Sequence, residues 1–399
     1  MIHKNQRNTH RPQKSSLTLV LKVGTTTICD EHTHFPLLSN LSSIVETILK
    51  LKSLGHHVVL VTSAAVGTGL RRLNMAQKPT NLATKQAVSA VGQGRLMALY
   101  DDLFGQFNQP VAQILLTKND LADRSQYLNA VNCFEELLNM GVVPIVNEND
   151  TISTQELRFG DNDTLSAITA GMVKADYLFL LTDVDCLYTD NPRTNPDAKP
   201  VYVCDDLQAL RDQVSVASGG SALGTGGMAT KLIAADLATA AGVTTMISHG
   251  SKVQNILKII QADEDSTDLP LHTRFTAKNN PLIDRKWWIL HGLHTAGVIY
   301  VDEGAAKAIL SKDRSSLFAA GVVDTEGQFV SQQAARIVMR RKNGETAEIG
   351  KGLVNYSAME ILRIRGAKSH EIADILGYVE SACVVHRDNL VRTVQEDAL

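Results

Sequence analysis

At 399 residues the chain is longer than one ordinary domain, and two or three are expected. Its 44% hydrophobic content is ordinary for a globular protein, and a net charge of -3 argues against a nucleic-acid binder or a membrane-surface protein as a class. The five cysteines, Cys29, Cys133, Cys186, Cys204 and Cys383, are odd in number, scattered and without a CxxC pair, so neither a disulfide framework nor a zinc site is indicated and a reducing cytoplasm fits best.

Residues 1–16 are polar and basic, with Lys4, Arg7, Arg11 and Lys14 and no acid. They lack the apolar centre of a signal peptide and are expected to form a disordered tail. No apolar run approaches the ~20 residues of a membrane span. Residues 17–23 (LTLVLKV) form a short apolar run that reads as a buried strand, with Lys22 near its end and a turn at Gly24. Residues 38–54 have helical spacing and stop before Gly55. Residues 58–61 are the next strand, followed by the small residues Thr62-Ser63-Ala64-Ala65-Val66-Gly67, which let a ligand approach the backbone. A helix is expected over 84–100 although Gly92 and Gly94 lie inside it, which suggests close packing or a ligand there.

A strand at 111–116, a helix at 124–140 closed by Gly141, and a strand at 142–146 running into Asn147-Glu148-Asn149-Asp150 come next. A small hairpin arm is expected at 153–159. The stretch RFGDNDTLSA at 158–167 then sets Asp161, Asn162 and Asp163 before a run of helix formers. An Asp or Asn in that place caps a helix. Three such residues exceed what a cap needs, so an outside partner is expected: a cation, an ammonium group or a distant lysine. Residues 177–181 form a strand ending in Thr182-Asp183, Pro192, Pro196 and Pro200 mark a loop, and 218–231 (SGGSALGTGGMATK) is glycine-rich. A helix over 228–241, a strand over 243–247 and a helix over 253–260 complete the alternation.

Strands alternating with helices imply an α/β fold with a mainly parallel sheet sandwiched by helices. Ligands bind such sheets outside the carboxyl ends of the strands. Lys22, Ser63, Asn149, Asp150 and Asp183 all fall at or just after expected strand ends. Residues 262–296 are polar and broken by prolines, which reads as a linker. Beyond it, a strand at 297–301, a helix at 304–310 and short strands around Phe329, 337–340 and 348–349 suggest a separate small β-rich module.

The glycine-rich segment is not a P-loop, because Thr230 precedes Lys231 and Leu232 follows it. Gly224-x-Gly226-x-x-Ala229 matches a dinucleotide pattern loosely, without the preceding strand or the acidic residue about 20 positions on. What remains is a run of backbone amides leading into a helix with Lys231 on its first turn, a place that attracts phosphate. With Lys22 it suggests two cations around one phosphoryl group.

In their order, VLKVGTT, VTSAAVG, IVNEND, FGDNDTLSA, LLTDVDCLYT and GTGGMATK resemble the glutamate 5-kinases of the amino-acid kinase family. The resemblance covers residues ~17–385, with GDND and GTGGMATK as its most specific elements. VDEGAAKAIL and the closing HRDNL are similar to the PUA domain that many glutamate 5-kinases carry. The resemblance implies a kinase domain at 17–261 and a PUA domain at 297–385. It implies phosphorylation of the γ-carboxylate of L-glutamate by ATP to L-glutamyl 5-phosphate, the first step of proline synthesis, with proline as feedback inhibitor. Lys22 and Lys231 would act on the phosphates, with Asp163 organising them. Thr182, Asp183, Thr225, Gly226, Gly227, Met228, Ala229, Thr230 and Lys231 would bind ATP; Ser63, Asp150 and Asn162 would bind glutamate. Mg2+ would be held mainly through the nucleotide phosphates, with no protein ligand assigned. A homo-oligomer, tetramer or dimer, and a downstream glutamyl phosphate reductase are the implied partners.

Three positions depart from the family pattern. Ala64 and Cys186 stand where glycine is usual, and His272-Thr273-Arg274-Phe275 replaces Gly-Thr-x-Phe. A glycine position that needs positive φ would leave its replacement strained. The rival enzyme reading is another amino-acid kinase, acting on acetylglutamate, aspartate, carbamate or uridylate. A non-enzyme reading is RNA binding through the second half, which carries Arg336, Arg340, Arg341, Lys342, Arg363, Arg365 and Lys368.

Overall fold

The computed structural model describes residues 16–394, apart from 32, 118–119, 122–123, 153–161, 191–194, 196, 206, 208–209, 211–226, 263–268, 279–285, 287–288, 291–292, 294, 312–314, 332 and 342. The expected arm at 153–159, the cap at Asp161, and Thr225 and Gly226 lie outside the described residues.

Apolar runs become central strands. β1 (Thr18–Val23) pairs in parallel with β2 (His57–Val61) on one side and with β5 (Tyr177–Thr182) on the other. With β3 (Val111–Leu116), β4 (Val143–Glu148), β8 (Val203–Cys204), β9 (Thr244–His249) and β10 (Thr273–Phe275), they form one sheet in the order β3-β4-β2-β1-β5-β9-β10-β8. The chain leaves β1 toward β2 and later returns beside it at β5, so the strand order reverses between them. That reversal opens a crevice at the carboxyl ends of β1 and β5. β6 (Leu187–Tyr188) and β7 (Pro200–Val201) make a separate antiparallel pair around the proline loop.

Helices cover both faces, and the central strands β1, β2 and β5 are accordingly buried along nearly their whole length. One face is filled from α2 (Leu38–Ser53), which turns Leu41, Ile44, Val45, Ile48 and Leu51 inward at helical spacing. The other is filled from α6 (Asn162–Met172) and α7 (Met228–Ala240), whose Leu165, Ile168, Leu232 and Ala235 share one apolar cluster.

The run of small residues after β2 is not a loop throughout. It winds into α3 (Ala65–Arg72), packed against α4 (Leu82–Gly105). Glycines allow the approach. A Cβ on Gly69 would lie 1.9 Å from the Val88 carbonyl oxygen, and one on Gly92 1.8 Å from that of Ala65. Gly94 has nothing within 4 Å of such a carbon. Opposite outcomes are therefore expected two residues apart. Gly94→Ala should stabilise by about 0.5–1 kcal/mol through helix propensity. Gly92→Ala should destabilise by about 2 kcal/mol or more, because overpacking against rigid backbone outweighs that gain. Denaturant midpoints of the two variants check this, and equal shifts would refute the packing account.

The segment 262–296 is more than a linker. Its Thr273–Phe275 is β10, antiparallel to β9 and parallel to β8, with Phe275 fully buried. Ile289 and Leu293 belong to the same apolar cluster as Ala334, Leu353 and Val391. Prolines and charges hid a three-residue strand that only its neighbours stabilise.

Further on, β12 (Val322–Gly327), β11 (Thr295–Val301), β13 (Ala334–Arg340), β14 (Thr346–Leu353) and β15 (Leu390–Arg392) form a five-stranded sheet in that order. It is mixed, since β11 and β13 run parallel and the other pairs antiparallel. The sheet reaches Arg392, beyond the expected end at 385. Phe329 is buried but lies outside the strands; the strand missed there is the polar β12. Lys351 Nζ, itself buried, donates to the carbonyls of Leu290 and Leu293 and ties β14 to the segment before β11.

Candidate active site

Three residues distant in the chain meet at the crevice. Lys22 stands near the end of β1, Asp163 in the first turn of α6 and Lys231 in the first turn of α7. Lys22 Nζ lies 2.5 Å from Asp163 Oδ1, and Lys231 Nζ lies 3.2 Å from Asp163 Oδ2. Thr230 Oγ1, with one proton to donate, lies 3.0 Å from Asp163 Oδ2 and 2.7 Å from the Gly227 carbonyl. All three charged side chains are buried, the carboxylate completely. Burial opposes its charge, but the ammonium groups of Lys22 and Lys231 outweigh burial and hold the Asp163 carboxyl well below the usual carboxylate range. Two cations on one anion leave the cluster with a net positive charge, and each lysine has N–H donors beyond the contact to Asp163.

Beside it lies a polar group. Asn162 Nδ2 is within hydrogen-bond distance of Ser63 Oγ at 3.0 Å, the Thr62 carbonyl at 2.7 Å and Asn147 Oδ1 at 2.9 Å. Consecutive residues of α6 thus serve two clusters, Asn162 toward β2 and β4 and Asp163 toward the lysines. Asp150 Oδ2 accepts from Ser89 Oγ of α4 at 2.5 Å. At the end of β5, Thr182 Oγ1 donates to Asp183 Oδ1 at 3.1 Å, with Thr182 buried and Asp183 exposed. Gly227 takes the N-cap place of α7 in extended conformation, and Met228 and Ala229 begin the helix.

Residues 18–248 match the amino acid kinase family, and residues 297–376 match the PUA domain. The chain is 56% identical to a probable glutamate 5-kinase of Schizosaccharomyces pombe over 380 residues, spanning 94% of this chain and 93% of the relative. It is 48% identical to the glutamate 5-kinase of Rippkaea orientalis, over 94% of this chain and 98% of the relative. It is 50% identical to that of a Cyanothece species, over 94% and 99%. The chain belongs to the glutamate 5-kinases of the amino acid kinase family.

In this kinase the two glycine replacements behave differently. Ala64 adopts φ 77 and ψ 11, the left-handed region, at the N-cap of α3. That conformation costs a residue with a Cβ about 1–2 kcal/mol. The packing of α3 on α4 holds it there, so the expected strain is present in the segment that carries Ser63. Cys186 is fully buried and is not among the described residues with positive φ, so its backbone does not call for glycine. Burial pushes its thiol up from the usual range. His272–Phe275 retains the structural part of its motif: Thr273 Oγ1 donates to the Val201 carbonyl at 2.5 Å and accepts from Leu187 N at 2.8 Å.

The polar residues of α4 were not legible as site residues. Ser89 meets Asp150, and Gln93 Oε1 accepts from Asn147 Nδ2 at 2.8 Å. Their four-residue spacing was the available signal, since two polar side chains on one buried face of a helix need partners.

Four of the basic residues of the second half stand beside carboxylates. Arg336 lies 3.5 Å from Glu348, Arg340 3.4 Å and Arg365 3.9 Å from Asp324, and Arg341 3.0 Å from Glu345. Arg340 also stacks over Tyr300, at 3.7 Å from the ring centroid. Among the described residues no helix is long and apolar enough to cross a membrane, and no group of three or more His, Cys, Asp or Glu is placed to hold a metal ion.

Proposed function

We propose that this chain transfers the γ-phosphoryl group of ATP to the γ-carboxylate of L-glutamate, forming L-glutamyl 5-phosphate and ADP. The observation that carries this reading is the buried Lys22–Asp163–Lys231 cluster standing beside Ser63 and Asn162. A side-chain carboxylate has a pKa near ~4.3 and is ionised at neutral pH, so no general base is needed. The obstacle is repulsion between that carboxylate and a polyphosphate. As the carboxylate oxygen bonds to the γ-phosphorus and the bond to the β-phosphate oxygen breaks, Lys22 and Lys231 neutralise the charge on the transferring group. Asp163 holds both ammonium groups in place. Thr182, Asp183 and residues 225–231 are proposed to hold the nucleotide, and Ser63, Asp150 and Asn162 the glutamate.

Mg2+ fits this donor set only through the nucleotide. Two ammonium groups repel a bare cation, so the residues present favour an ion that arrives on the phosphates and supplies further charge neutralisation there. The product is a mixed anhydride that hydrolyses in water, which supports a glutamyl phosphate reductase as the protein that takes it next. A homo-oligomer belongs to the same proposal. The test is ADP release with glutamate against acetylglutamate and aspartate, with hydroxylamine trapping the acyl phosphate. Equal or faster turnover of either alternative would reject glutamate as the substrate.

Proline inhibition is part of this reading. Proline shares the α-carboxylate and charged α-amino group of glutamate but has no carboxylate to phosphorylate. A site built from Ser63, Asp150 and Asn162 therefore accepts its main-chain end without reaction. Asp150→Asn removes the negative charge facing the ammonium while nearly keeping the shape. Losing one charge-assisted hydrogen bond costs about 1.5–3 kcal/mol, or roughly 10–100-fold in affinity. Glutamate affinity and proline inhibition should fall together in this variant. Inhibition series at several glutamate concentrations measure both, and a steep rise in glutamate KM with an unchanged proline constant would separate the two sites.

A further inference from the structure

Helix α4 turns Ser89, Gln93 and Tyr100 to one side, and each meets a different segment of the candidate glutamate site. Ser89 donates to Asp150, Gln93 accepts from Asn147, and the Tyr100 hydroxyl lies 2.9 Å from Thr62 Oγ1. All three side chains are buried.

The network decides how the amides point. Asn147 Oδ1 accepts from the Glu148 backbone N–H at 2.9 Å and from Asn162 Nδ2 at 2.9 Å. With two donors on that oxygen, Asn147 Nδ2 faces α4, and Gln93 must answer with its own oxygen. Gln93 Nε2 is then left buried with no hydrogen-bond partner among the described residues. An unpaired buried donor destabilises the fold. Methionine has a similar shape and would remove that donor but leave Asn147 Nδ2 unpaired in its place, so stability alone does not select glutamine here.

We propose that Gln93 is a positioning residue: its Oε1 locks the Asn147 amide, and through Asn147 it aims the Asn162–Ser63 pair at glutamate. The proposal rests on the assignment of Ser63, Asp150 and Asn162 as the glutamate site. Gln93 itself touches neither substrate.

The experiment compares Gln93→Met, Gln93→Glu and Asn147→Ala, alone and with Gln93→Met combined with Asn147→Ala. In Gln93→Met one unpaired donor, Gln93 Nε2, is exchanged for another, Asn147 Nδ2, so Tm should move by no more than about 3 °C. Glutamate KM should rise about 10-fold with ATP KM unchanged, the scale of one lost hydrogen bond. Gln93→Glu keeps an acceptor toward Asn147 and should stay within about 3-fold of the parent. With Asn147→Ala already present, Gln93→Met should add less than about 2-fold, because the residue it acts through is gone. Equal rises in glutamate and ATP KM, additive effects in the double variant, or the same loss in Gln93→Glu as in Gln93→Met would overturn the proposal. The site assignment is judged separately by Asp150→Asn. If that variant binds glutamate normally, the glutamate site itself is misplaced. If it loses glutamate while Gln93→Met does not, only the positioning role fails.

Discussion

Lys231→Ala is expected to lower kcat by about 10²-fold or more, and Lys22→Ala by a similar factor, the scale seen when one transition-state donor is removed. The argument is geometric. Both ammonium groups are held on opposite oxygens of one buried carboxylate, with Lys22 near the end of β1, where the strand order reverses. They are shielded from water, so their field on a transferring phosphoryl group is screened little. Lysine has three donors, and the contact to Asp163 uses one. Glutamate KM should change far less, because Ser63 and Asn162 contact each other rather than the lysines. Steady-state kinetics on folded variants, with melting curves recorded alongside, give the answer. Near-normal kcat in a folded Lys231→Ala protein would reject the phosphoryl-clamp assignment.

Asp163→Asn should have a large effect on stability as well as on rate. The substitution keeps the shape but removes the negative charge between two buried ammonium groups. Removing one partner of a buried ion pair costs about 3–5 kcal/mol, because the remaining charge stays desolvated. An asparagine also turns an N–H group toward one of the lysines. ATP bound as proposed supplies the missing negative charge, so saturating nucleotide should recover more melting temperature in the variant than in the parent. The pH dependence has a definite sign. Lys22 and Lys231 depress the folded-state pKa of Asp163, so its contribution is fully present above its unfolded value of about 3.9 and is lost as pH falls toward the folded value. The parent should therefore keep this contribution at mildly acidic pH, and the gap to the variant should close only below about pH 4. Urea midpoints from neutral to acidic pH, with and without ATP, measure it. A loss below about 1 kcal/mol at neutral pH would mean that Asp163 does not stabilise the two lysines.

Much of the fold could be read from the chain because its elements are specified locally. The apolar run of β1, the helical stripe of α2 and the strand Val111–Leu116 need only their own periodicity. The helix α3 did not show, because small residues favour a turn until α4 packs against them through Gly69 and Gly92. β10 did not show either. Three residues among prolines make a strand only when β8 and β9 supply both edges.

The same division holds for the site. The sequence by itself determined the parts: Lys22 at the end of a strand, an acidic cluster opening a helix, Lys231 on the first turn after a glycine-rich run, and the motif order that marks the family. Tertiary structure alone decided that Asp163 divides its two oxygens between two lysines, that Asn162 turns to Ser63 and Asn147, and that Gln93 stands behind Asn147. It also decided that Ala64 must sit in the left-handed region. The physical reason is range. Helix and strand periodicity arise from contacts between near neighbours, whereas these pairings depend on which strands lie side by side in the sheet, and that order is set by burial summed over the whole chain.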